Sequence, residues 1–155
     1  MSEFARTRNS YDGSEKAKRL YPALPEPLEV GTYDNHTHLE IADGDEPLSV
    51  AQHIEMMRQV NMLGAVQVGV TLESSKYSAE LAAREPMLLA AVAIHPNEAP
   101  LYGSLKELDD AILEIADLAK LPRVRAVGET GLDYFRTQGD EALSMQQHSF
   151  EQHIA

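Results

Sequence analysis

A chain of 155 residues has room for one ordinary domain and is short for two. Hydrophobic residues make up 43% of it and charged residues 25%, which excludes a globally disordered or membrane-embedded chain. The formal charge of -12 sits wholly in residues 31–155, because residues 1–30 balance five basic against five acidic side chains. Such a body repels polyanions unless bound cations or a local basic groove intervene, so bulk charge argues against nonspecific nucleic-acid binding. The longest apolar run, Met87 to Ile94, spans 8 residues, well under the ~18 that suggest a membrane span. The N-terminus interleaves Arg6, Arg8, Lys16 and Arg19 with Glu3, Asp12 and Glu15, unlike a secretory signal. Cysteine is absent, so a metal must bind imidazole or carboxylate, and a cytoplasmic location is expected.

In chain order, residues 1–30 end in Pro22, Pro25 and Pro27 and read as a flexible, basic and proline-rich arm. The pattern changes after Gly31. Tyr33 to Leu39 predicts a strand, Pro47 to Asn61 a helix, Gly64 to Val70 a strand, Glu73 to Glu85 a helix, and Met87 to His95 a buried strand. Ser104 with Glu107 three residues on is a capping-box signature, opening a helix to about Lys120. A strand from Arg123 to Glu129 and a helix from Glu141 to Ala155 complete the pattern. Four strand-helix alternations imply parallel strands with crossover helices, hence an α/β fold. The first strand leads into His36, Thr37 and His38 where a doubly wound sheet would carry a glycine-rich phosphate loop, so a barrel is the better match. A (β/α)8 barrel needs about 250 residues. The expectation is therefore its N-terminal half, about four βα units over residues 31–155, truncated there.

Asp34, His36 and His38 lie two apart, so along a strand they project from one face. Two imidazoles at that spacing chelate one divalent ion, and the neighbouring carboxylate can hydrogen-bond to or share it. Otherwise they are satisfied core histidines. Glu129 closes another strand; parallel barrel strands end at one rim, so it can converge with the two histidines and bridge cations. His95, before Pro96, brings a further imidazole to that rim, for contact with a substrate phosphate, for proton donation, or for a supporting hydrogen bond. Asp133 is read as orienting the glutamate loop. His53, His148 and His153 fall in helical patterns and are expected at the surface or in packing, away from the rim.

Three segments, Asp34-Asn35-His36-Thr37-His38-Leu39, Ile94-His95-Pro96 and Gly128-Glu129-Thr130-Gly131-Leu132-Asp133-Tyr134, together resemble successive motifs of the TatD-type metal-dependent hydrolases. The resemblance covers residues 33–155 and extends to Gln146, Phe150 and Ala155; Glu40 stands where that family usually has aspartate. It implies a distorted TIM barrel with two divalent cations, drawn from Mg, Mn, Zn or Ni. His36 and His38 would bind one ion and Glu129 would bridge to the second, whose other ligands would lie beyond Ala155. Catalytic roles fall to Glu129 and His95, and substrate contacts to His95 and Asp133. The implied activity is phosphodiester hydrolysis, a deoxyribonuclease of 3'-exonuclease character with DNA as substrate.

Rival readings are a metal-dependent hydrolase of a small ester, lactone or amide, another phosphoesterase class beginning with His-x-His, and a catalytically silent fragment. Self-association through the open edge of a half barrel is the other partner expectation.

Overall fold

The protein is described by a computed structural model covering residues 21–42 and 46–155. The first 20 residues of the expected arm, with its basic side chains, lie outside the described residues. The elements are β1 (Thr32–Thr37), α1 (Val50–Gln59), β2 (Met62–Val68), α2 (Leu72–Arg84), β3 (Leu88–Val92), α3 (Leu105–Leu118), β4 (Val124–Val127) and α4 (Asp140–Ile154), with a 3-10 turn at Ala99–Leu101. The strands are parallel and follow one another in the sheet in chain order, β1-β2-β3-β4. Four βα units of this kind are the α/β half-barrel arrangement expected from the sequence. No helix among the described residues is long and apolar enough to cross a membrane. By compactness the chain divides into two units, one ending at Ala65 and the other beginning at Val66.

In the first unit, α1 starts at Val50 and not at Pro47, because Ser49 closes a reciprocal cap. Its hydroxyl accepts from Gln52 N at 3.4 Å, and the Gln52 side chain accepts from Ser49 N at 2.9 Å. The helix buries Ile54 and Met57, three apart on one face. The proline-rich stretch from Tyr21 has no regular structure but is fastened near its end: Leu28 N donates to Val60 O (3.1 Å) and Asn61 Nδ2 donates to Leu28 O (2.8 Å).

In the second unit, the apolar run forms β3, where Leu88, Ala90 and Val92 are fully buried, as are Ala93 and Ile94 just past its end, as a strand covered on both faces requires. The regular strand stops at Val92, short of His95. β3 pairs with β4 in a register that shifts after Ala90, with Val92 opposite Val127. Helix α2 packs on β3 and buries, beside Leu81, the small residues Ser74, Ser75, Ser78, Ala79 and Ala82. Ser75 Oγ donates to Ala93 O (3.0 Å) and accepts from Ala93 N (3.1 Å), tying the helix start to the strand end. Helix α3 buries Leu108, Ala111, Ile112 and Ile115 at helical spacing. Its expected capping box is only half formed. Ser104 Oγ accepts from Glu107 N (3.2 Å), whereas the Glu107 carboxylate reaches one residue further back, to Gly103 N (3.1 Å).

This close approach makes Gly69 sensitive. A Cβ there would lie 2.5 Å from Ser75 Cα and 2.7 Å from Ser75 N, backbone atoms that cannot rotate away. Gly69→Ala is expected to lower the unfolding free energy by about 3 kcal/mol, read from the urea midpoint; an unchanged midpoint would mean that α2 shifts freely.

Candidate metal centre

The strand period places Asp34 and His36 on one face of β1, and His38 follows just past its end. Asp34 turns inward on its own chain, its Oδ1 accepting from His36 N at 3.0 Å. That bond holds the backbone at His36. The two imidazoles meet edge to face, with ring centroids 5.1 Å apart at 76°, and their Nε2 atoms stand 3.3 Å apart. Two nitrogens bound to one zinc at about 2.0–2.1 Å in a tetrahedral shell are separated by about 3.3 Å. The separation of the pair therefore matches that of two nitrogen ligands on one divalent ion. Behind it, Glu40 is buried, with Oε1 3.8 Å from His38 Nδ1. A carboxylate beside a metal-binding histidine helps orient its ring. The sequence shows Glu40 only as a departure from the family's aspartate; its place two residues beyond His38 is the available signal.

His36 and His38 open onto a cavity of about 290 Å³ that is also lined by Tyr21 and His53. His53 is thus not remote from the histidine pair, as helical periodicity suggested. Periodicity identifies the inner face of α1 but not which inner position faces the strand end. His53 packs edge-on against Tyr21 with 5.8 Å between ring centroids, and burial lowers its pKa.

In the second unit, His95 N donates to Val70 O (2.8 Å), and His95 Nδ1 accepts from Asn97 N (3.1 Å). With Nδ1 an acceptor, the ring proton belongs on Nε2, which lies 3.4 Å from Glu129 Oε1. Glu129 follows a cis peptide bond from Gly128, whose N donates to Val92 O at 3.1 Å. The fold therefore brings His95 and Glu129 together, each just past its strand.

Asp133 holds the following loop. Its Oδ1 accepts from Phe135 N and Arg136 N, both at 2.9 Å, and its Oδ2 accepts from Asn97 Nδ2 (2.9 Å) and Arg136 Nη1 (3.1 Å). These donors, Arg136 N first, hold its carboxyl well below the usual carboxylate range. Gln146 on α4 anchors the assembly from beneath. Fully buried, it accepts from Asp133 N (2.7 Å) and donates to Pro96 O (2.9 Å) and Thr137 Oγ1 (2.7 Å). His153 behaves as packing: Nδ1 lies 2.7 Å from Ser149 O and Nε2 accepts from Ile94 N (3.1 Å). His148 pairs with Asp109 at 2.6 Å.

A parallel α/β sheet with paired imidazoles at the end of its first strand, and a glutamate facing a histidine after later ones, has the form of a barrel-type metal-dependent hydrolase. The chain belongs to the TatD-related DNase family, which it matches over residues 33–155. It is 32% identical over 124 residues to the uncharacterized metal-dependent hydrolase TatD of Mycobacterium tuberculosis, covering 78% of this chain and 45% of that one. It is 36% identical over 84 residues to the 3'-5' ssDNA/RNA exonuclease TatD of Musicola paradisiaca, covering 54% and 30%. Among solved structures it resembles an uncharacterized amidohydrolase from Saccharomyces cerevisiae (TM-score 0.62, 21% identity, 81% of this chain and 43% of that one). It also resembles the TatD homolog YJJV of Escherichia coli (TM-score 0.57, 23% identity, 79% and 45%). The chain thus spans less than half the length of each of these proteins.

Proposed function

We propose that the protein is a divalent-metal-dependent phosphodiester hydrolase that removes nucleotides from the 3' end of single-stranded DNA in the cytoplasm. The observation that carries this reading is the 3.3 Å separation of the two Nε2 atoms, a chelating geometry in a family of metal-dependent hydrolases. The 3'-5' ssDNA/RNA exonuclease name of the Musicola paradisiaca relative supports the substrate class.

His36 and His38 would hold one ion. By resemblance to the family's motifs, Glu129 would add a carboxylate ligand and bridge toward a second ion. Bound cations supply an activated water and neutralise phosphoryl charge, which an acidic surface otherwise repels. The chain's own groups do the rest. His95, its Nε2 proton fixed by the Asn97 N bond to Nδ1, donates a hydrogen bond to the scissile phosphate. Asp133 keeps the loop beyond Glu129 in place for substrate. In the hydrolysis a water oxygen bonds to phosphorus and the bond to the preceding sugar's 3' oxygen breaks. That oxygen takes up the proton the water gives away.

His36→Ala is expected to weaken Mn2+ or Zn2+ binding at least about tenfold, as loss of an oriented ligand does. Titration calorimetry on wild type and variant measures it, and equal affinities would return His36 to a packing role. We extend the reading to self-association through the outer strands of the sheet, β1 and β4. Sedimentation velocity of the 155-residue chain is expected to show species above monomer; a monomer at every concentration refutes this.

A further inference from the structure

We propose that Phe135, with Arg136 beside it, is a platform on which a base of the single-stranded substrate stacks; this rests on the nuclease reading above. Phe135 is 85% exposed, the highest value among the large hydrophobic residues described. An exposed ring on a loose loop would need no explanation, but this ring stands on a fastened one. Asp133 accepts from the backbone N of both Phe135 and Arg136, Gln138 Nε2 donates to Phe135 O (3.1 Å), and buried Gln146 secures Asp133 from below. The fold thus holds an apolar ring in water with its backbone already ordered, which lowers the entropic cost of stacking.

The neighbouring charge indicates the occupant. The Arg136 guanidinium lies 5.8 Å from the Phe135 ring centroid while Nη1 bonds Asp133. It is one of only eight basic residues against twenty acidic ones in residues 31–155. A π-face flanked by a guanidinium is the chemistry that takes a nucleobase with its phosphate, and it accepts any base. The platform follows Glu129 by six residues. A paired base is already stacked in its duplex, so the platform favours unpaired ends.

The test has two readouts. The chain contains no tryptophan, so Phe135→Trp places a single indole at the site, excited apart from the tyrosines at the red edge. Its emission is expected to be quenched by single-stranded oligothymidylate and little changed by an abasic oligonucleotide of equal length. In 3'-nucleotide release with Mn2+, Phe135→Ala is expected to raise KM about tenfold with kcat little changed, and Phe135→Tyr to restore KM. Emission already shielded from acrylamide before DNA is added, or KM unchanged by Phe135→Ala in an active enzyme, overturns the platform while leaving the nuclease reading intact. Wild-type protein that releases no nucleotide overturns that reading, and the platform with it.

Discussion

Glu129→Gln is expected to reduce metal-dependent nucleotide release by about a thousandfold, in the range lost when one charge-stabilising group is removed from a reaction centre. The substitution keeps shape and removes charge, and a neutral amide cannot bridge two cations as a carboxylate can. The Glu129 side chain is 34% exposed, so folding does not depend on its burial, and the melting temperature should stay close to wild type. The His95 contact tolerates the change, since an amide of the same shape still faces Nε2 across the 3.4 Å separation. Release from 3'-labelled single-stranded DNA in Mn2+, followed alongside thermal unfolding, measures both effects. Activity within a few-fold of wild type in a folded variant would remove Glu129 from the chemistry.

Gln146→Leu is expected to cost about 3 kcal/mol of unfolding free energy, because a side chain of similar volume takes a hydrogen bond from three buried or part-buried groups, of which Thr137 Oγ1 keeps its bond to Asn97 Oδ1. Asp133 N, Pro96 O and Thr137 Oγ1 each lose a bond of 2.9 Å or less. That is a large fraction of the 5–15 kcal/mol typical of a domain. The loop after β4 should also loosen, so its amides exchange faster while those of β3 remain protected. Urea unfolding with hydrogen exchange reads both. A loss below about 1 kcal/mol would mean that water replaces the amide, and the bracing role would then fall to Asp133 alone.

Particular residues show what the sequence made legible. The run from Met87 to Ile94 announced a doubly covered strand because burial on both faces leaves no polar alternation, and its core is β3. The regular strand ends earlier than the apolar run, at Val92, and a turn closed by Glu98 N donating to His95 O follows. The histidine pair was legible because both members lie on one short segment, where the strand period alone aligns them. Gln146 was visible only as part of a helix resembling the family's. Its partners are 50 residues away at Pro96 and 13 away at Asp133, a network that exists only after the fold has formed. Asn97 and Asp133, 36 residues apart, are equally silent in sequence. His53 was misplaced for a related reason, because helical spacing carries no information about which strand end an inner residue borders.

The metal centre is the claim on which the rest depends, and crystals soaked in Mn2+ test it most directly through anomalous scattering. An anomalous peak is expected within bonding distance of His36 Nε2, His38 Nε2 and the Glu129 carboxylate, lost in His36→Ala crystals soaked in the same way. A peak bound elsewhere, or none at saturating Mn2+, would contradict it.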